Sequence, residues 1–260
     1  GEIAKGASAA LVKSLNDKDS AVRLSAIRAI GKLNSEDSDL AEKLIQFLEG
    51  ANAETRLAVV TSLGGFKQLP NSAVNNLVKV LKTEDSEIQS AVFTALSKLG
   101  ESAKPALPAL YQALVHKSST VRNASLNALT KVEKNKLKLL DVLHNKLKDD
   151  NDTVRHTAIR ELGNLGSDAR PAGKSLFDRF ATTEDRQVTM EALRQIRVRD
   201  VSLYISILNN EEPLVRFFAC QAIRRAGKKA SSAEPALTKL KTDSYDFVRR
   251  EARRALEAIR

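Results

Sequence analysis

Tryptophan is absent from the 260-residue chain, cysteine and methionine occur once each, and aromatic residues amount to 4%. A single cysteine excludes an internal disulfide and any paired-thiol metal or redox motif. Eight Phe and three Tyr spread over this length argue against a site built from stacked rings. No apolar run approaches the roughly 18 residues of a membrane helix, and no basic, apolar and small-residue signal opens the chain. The expectation is a water-soluble chain with no membrane partner; the cytoplasm is favoured, and a targeting segment removed ahead of Gly1 is left open. The glycine-rich motifs of nucleophile elbows, dinucleotide sites and phosphate loops are missing. His116, His144 and His156 lack metal-ligand spacing. Asp149, Asp150 and Asp152 lack calcium-loop spacing and read as a helix-capping turn. No catalytic residue, metal or cofactor is expected.

What is present is a repeat, which decides the fold before anything else. The apolar position of a recurring Val-Arg dipeptide falls at Val22, Thr55, Ile88, Val121, Val154, Val188, Val215 and Val248, in steps of 33, 33, 33, 33, 34, 27 and 33 residues. Small or aliphatic residues follow at plus four (Ala26, Val59, Val92, Ser125, Ala158, Ala192, Ala219, Ala252). Ile or Leu follows at plus eight (Ile30, Leu63, Leu96, Leu129, Leu162, Ile196, Ile223, Leu256), which makes one face of a helix. Leu at minus eleven and minus seven, from Leu11 and Leu15 through Leu143 and Leu147, marks a second amphipathic helix. Polar turns such as 17–20 and 149–153 separate the two and cap the next. Pro105, Pro171 and Pro235 stand where first helices begin. Gly100, Gly166 and Gly227 stand where second helices end, in a position suited to an αL stop.

A helix pair cannot bury both of its faces alone, so neighbours stack into a continuous core. The expected fold is all-α, a right-handed α-solenoid of about eight helical hairpins. It covers 1–260 as a single domain, with repeats at approximately 1–34, 35–67, 68–100, 101–133, 134–166, 167–199, 200–227 and 228–260. The segments Asp17 to Leu33 and Asp149 to Gly166 carry an acidic turn, Val-Arg, then Ala and Leu at helical spacing. In this the chain resembles the short HEAT repeats of prokaryotic proteins over essentially its whole length. The resemblance implies a mostly non-enzymatic scaffold whose second helices line a concave surface; a minority of relatives bind DNA or serve as chromophore lyase subunits. DNA glycosylases of this fold rely on groove Trp residues, which this chain lacks.

The arginine at plus one (Arg23, Arg56, Arg122, Arg155, Arg216, Arg249) is read through the resemblance as a structural rung, bonded to a turn acid such as Asp17, Asp149 or Asp243. The positions at plus two, six, nine and thirteen form a stripe expected to face the groove. It is mild in the first units (Leu24, Arg28, Leu57, Thr61, Ser90, Thr94) and basic in the later ones, with His156, Arg160, Arg194, Arg197, Arg224, Arg250 and Arg254. Of 20 Arg, 16 lie in residues 131–260, whereas Lys divides evenly, and Arg is the side chain suited to bidentate recognition of carboxylate or phosphate. The expected partner is therefore an acidic segment of another protein. Duplex nucleic acid is the alternative, and a chromophore lyase role is a third reading, against which the scarcity of rings counts. The sixth unit departs from the pattern at Thr189, Glu191, Gln195 and Arg199. The short step after it predicts a tight connection, with Asp200 capping the next helix and curvature changing locally. The first unit opens without a polar cap, which predicts that its edge meets a preceding segment of a larger chain or another protein.

Overall fold

The computed structural model describes residues 2–33, 35–49, 51–180, 182, 184–196 and 200–260, with the side chains of all of these except residues 2–7. Arg197 and Arg199 lie outside the described residues. Every regular element among the described residues is helical, and none is long and apolar enough to cross a membrane. The chain divides into two compact units, Gly1–Leu139 and Leu140–Arg260. The first holds α1 (Glu2–Ser14), α2 (Ser20–Ile30), α3 (Ser38–Ile45), α4 (Ala53–Leu63), α5 (Asn71–Val80), α6 (Ser86–Leu99), α7 (Leu107–Ala113) and α8 (Ser119–Val132). The division falls within α9 (Lys136–Lys146). The second unit continues with α10 (Asp152–Asn164), α11 (Gly173–Phe180), α12 (Arg186–Ile196), α13 (Val201–Ile207), α14 (Pro213–Ala226), α15 (Glu234–Lys239) and α16 (Asp246–Ile259).

Each unit is an α-solenoid in which odd-numbered first helices and even-numbered second helices alternate. The turn between them is set by side-chain caps: Asp19 accepts from Ala21 N, Asn52 from Thr55 N and Asp85 from Glu87 N. Such a cap contributes about 1 kcal/mol. Most leucines at minus eleven or minus seven, among them Leu15, Leu44, Leu77, Leu110 and Leu143, are buried, while Leu11 and Leu81 are half-buried. So are the plus-zero, four and eight faces of α6, α10 and α16. Each large aliphatic side chain buried in this way stabilises the stack by roughly 1.5–3 kcal/mol. Val22 departs from the pattern and stays 39% exposed.

Successive second helices pack directly, α2 on α4, α4 on α6 and α6 on α8 in the first unit, α10 on α12 and α14 on α16 in the second. Small residues permit the approach. A Cβ on Gly64 would lie 2.8 Å from the Ala95 Cα, and Ser62 Oγ donates to the Ile27 carbonyl at 2.8 Å.

Two local expectations are corrected. Gly100 and Gly227 have positive φ of 52° and 58° but ψ of −124° and −143°, so neither forms an αL stop. The chain passes instead into 3-10 turns, Gly100–Ala106 and Gly227–Ala233, through backbone angles that only glycine adopts readily. Pro105 and Pro171 lie within such lead-in turns, ahead of α7 and α11; Pro235 lies in the first turn of α15.

After α12 the repeat shortens. Asp200 caps α13, its carboxylate accepting from Ser202 N at 2.9 Å and Leu203 N at 3.2 Å. Ser202 Oγ–H and these amides hold the Asp200 carboxyl below its usual pKa. Here α12 and α14 are not packed on each other as their neighbours are. Rings take up the inner part of the space: Phe177 meets Tyr204 at 5.8 Å and Phe218 at 5.9 Å, and Phe180 meets Phe218 at 5.4 Å.

Candidate interaction surface

The plus-one arginines bind main chain first. Arg23 donates to the carbonyls of Asp17 and Lys18 at 2.8 and 2.9 Å. Arg122 donates to those of His116 and Lys117, Arg155 to Asp149 and Asp150, Arg216 to Asn210 and Glu211, and Arg249 to Asp243 and Ser244. Arg56 reaches Ala51 O at 3.0 Å. The acceptors stand six and five residues before each arginine, in the turn that ends the first helix, where carbonyls lack intrahelical partners. Gln89 takes this place in the third repeat, donating to the carbonyls of Leu81 and Thr83.

Carboxylates are added to this scheme unevenly. Asp17 contributes its carbonyl to Arg23, while its carboxylate accepts from Asp19 N. Asp243, by contrast, reaches back to the Arg216 of the preceding repeat at 2.7 and 3.0 Å, with its side chain 5% exposed. Burial opposes ionisation of Asp243, but Arg216, the Tyr245 N–H and Arg249 outweigh it and hold the carboxyl below its usual pKa. Arg216 also lies over the Tyr245 ring, 5.9 Å from its centroid.

In the sixth repeat Thr189 replaces the rung and is fully buried, its hydroxyl without a hydrogen-bond partner. The preceding turn is held from the other side. Asp185, also fully buried, binds Arg155 Nε at 3.1 Å, His156 Nε2 at 3.0 Å and Arg179 at 3.4 Å. Sequence reasoning passed over this carboxylate.

The basic stripe is consequently less free than its composition implies. His156 faces Asp185. Arg224 Nε binds Glu251 at 2.6 Å, and Arg254 approaches the same carboxylate at 3.6 Å. Glu251 is itself buried. Arg250 pairs with Asp246 at 2.9 Å and Arg194 with Glu191 at 3.7 Å. Arg160 is exposed and donates to Thr157 Oγ1 at 3.3 Å. In the first unit Arg28 pairs with Glu54 at 3.0 Å. Between α10 and α12 a cleft of about 560 Å³ sets His156 and Arg160 against Glu161, Glu184 and Glu191, so its charge is mixed.

The structure gathers a second set of residues that composition had hidden. Seven of the eleven aromatic residues lie beyond residue 176 and fall into two contacting groups, Phe177, Phe180, Tyr204 and Phe218 in one and Phe217, Tyr245 and Phe247 in the other. Phe217 meets Phe247 at 5.5 Å, which in turn meets Tyr245 at 5.8 Å. Beside them, α12 and α14 enclose a mainly apolar cleft of about 530 Å³. Cys220 is buried on α14, and its thiol is pushed up to about 12 by burial and the nearby Glu251 and Asp243. Among the described residues no three His, Cys, Asp or Glu side chains gather as a metal ion requires.

Stacked hairpins, each with its turn tied by a carbonyl-bound side chain, define an α-solenoid repeat protein. The HEAT repeats model matches residues 41–130 and 107–197, and the HEAT repeat model matches residues 9–35. The chain belongs to the HEAT-repeat family. No curated protein matches it. Among solved structures, an engineered protein is 22% identical, with 96% of this chain and 77% of that one covered and a TM-score of 0.54. The complex of CpcE and CpcF of phycocyanin lyase from a Nostoc species is 18% identical over 97% of this chain and 94% of that one, with a TM-score of 0.51. The full-length AP-3 complex in an intermediate open conformation is 13% identical over 99% of this chain and 51% of that one, with a TM-score of 0.55. These likenesses establish the fold. HEAT repeats are in general protein-interaction scaffolds.

Proposed function

We propose that the chain is a non-catalytic scaffold that binds an acidic segment of another protein on the second-helix face of its C-terminal unit. The observation that supports this reading is the state of the stripe cations. Arg194, Arg250 and Arg254 keep 48%, 66% and 67% of their side-chain surface exposed. The internal pairs of Arg194 and Arg250 join exposed groups three or four residues apart on one helix, and pairs of that kind are worth only about 0–1 kcal/mol; Arg254 lies 3.6 Å from the buried Glu251, which Arg224 holds more closely at 2.6 Å. These three guanidinium groups, with Arg160, turn outward to a partner carboxylate at little cost. Arg224 and His156 serve differently: Arg224 makes the short bond to the buried Glu251, and His156 lies with Arg155 and Arg179 around the buried Asp185, so turning either outward weakens the pairing of a buried carboxylate. The binding set is thus Arg160, Arg194, Arg250 and Arg254, and the supporting set is His156 and Arg224; Arg197 belongs to the sequence-predicted stripe without a described position.

Fluorescence anisotropy with labelled acidic peptides tests the reading. Wild type should bind, and Arg194→Glu combined with Arg250→Gln and Arg254→Gln should weaken binding at least tenfold, with far-UV circular dichroism unchanged. Equal affinity of both proteins sinks the proposal. A duplex DNA probe in the same assay, binding more tightly than the peptides and with steep salt dependence, would transfer the face to nucleic acid.

A further inference from the structure

The shortened step between the sixth and seventh repeats leaves an opening between α12 and α14, whereas the other successive second helices within each unit touch. Its walls are Met190 on α12 and Leu214, Phe217 and Phe218 on α14; Arg186 and Arg194 stand beside them. Leu214 is 40% exposed, a large apolar side chain with no covering layer. Arg186 reaches Glu212 through one Nη at 3.1 Å, while its buried Nε–H has no acceptor. The apolar wall continues through Phe217 and Phe247 to Tyr245, which leads into α16, the helix of Arg250. Apolar walls with guanidinium groups along the edge complement a guest that is apolar on one side and anionic at its margin.

We infer that this cleft is the anchoring pocket for an amphipathic acidic segment of a partner protein, which inserts large apolar side chains between α12 and α14 and sets Asp or Glu against Arg186 and Arg194. The inference rests on the protein-binding reading of the second-helix face, and it adds a requirement for hydrophobic side chains that charge alone does not impose. Elongation favours a polypeptide over a compact small molecule, because the ring series extends the apolar surface beyond the cleft itself. Apolar anchors in a desolvated pocket carry most of the energy at protein interfaces, whereas rim charges mainly tune encounter and register.

The test is selection of a displayed random peptide library on the immobilised full chain, followed by anisotropy titration of the enriched peptides. Enriched sequences should carry Leu, Ile, Met or aromatic residues three or four apart, flanked by Asp or Glu. Leu214→Asp with Met190→Glu should weaken these peptides at least thirtyfold, and Arg194→Glu about tenfold, with circular dichroism unchanged. Arg28→Glu, in the first unit and outside the binding set, should change affinity by less than threefold. If the double variant fails to fold, Leu214→Gln replaces it in the same comparison. Enrichment of purely acidic peptides indifferent to Leu214→Asp would overturn the pocket while leaving the charged face standing. No enrichment at all would overturn both. Dodecanoate displacing the peptides at equal or lower concentration would assign the cleft to a small apolar acid and likewise overturn the inference.

Discussion

Replacing Arg216 by Met isolates the energetic weight of a rung that is joined to the next repeat. The side chain removed is 11% exposed and makes four hydrogen bonds, two to the carbonyls of Asn210 and Glu211 at 2.7 and 2.8 Å and two to Asp243 at 2.7 and 3.0 Å. Methionine restores most of the apolar stem, so the loss falls on the guanidinium. Asp243 would keep only the Tyr245 N–H at 3.0 Å. Breaking a buried pair from one side costs about 3–5 kcal/mol, mostly from the charge left behind, and we expect about 4 kcal/mol in total. For a domain of this size the melting temperature should fall by roughly 8–16 °C, read by circular dichroism at 222 nm. The control is Arg23→Met, which removes a rung whose two bonds go to carbonyls alone and should cost about 1 kcal/mol. Adding Asp243→Leu to Arg216→Met should recover much of the loss, because no unpaired charge then remains. If Arg216→Met were as mild as Arg23→Met, the contribution assigned to the Arg216–Asp243 pair would be wrong.

Further outcomes follow from the same geometry. The carboxyls of Asp243 and Asp200 are held below their unfolded values, so each contributes stability fully above about pH 4 that is lost as pH falls through its lowered native value. Urea midpoints between pH 7 and pH 2 should show this, and Asp243→Asn should flatten the curve. Cys220, buried and with its thiol raised to about 12, should resist iodoacetamide in the native protein and react at the rate of a free thiol in guanidinium. Gly64→Ala would press a methyl group within 2.8 Å of the Ala95 Cα and should destabilise the first unit by about 1–3 kcal/mol, seen as a lower urea midpoint.

The fold was legible because its determinants are periodic and local: leucines at fixed offsets, polar turn residues that cap helices, and glycines at repeat ends. The interaction surface was legible only as a list of basic residues. Their electrostatic state depends on acids brought in by packing, and Asp185 and Glu251 look like ordinary surface acids in a linear reading. One signal was available. The plus-three position is Ser25, Ala58, Ala91, Ala124 and Thr157 in the first five repeats but Glu191, Phe218 and Glu251 in the last three. Small residues giving way to a carboxylate or a ring beside a buried face mark the place where neighbours must rearrange. The low aromatic content misled for a related reason, since composition averages over the chain what packing concentrates in one corner.

The rung arginines address peptide oxygens and so do not themselves select the side chains of the two turn residues: Asp-Lys, His-Lys, Asp-Asp, Asn-Glu and Asp-Ser all serve as acceptors, and Asp243 among them has a second duty toward the preceding Arg216. Such a joint tolerates duplication, drift and recombination of modules, because a newly copied unit brings its own fastening along with it. Where the turn side chains do not reach back to the preceding repeat, as at Asp17 and Lys18, diversity is thereby uncoupled from the integrity of the array, and loops there are suitable places to graft new sequences.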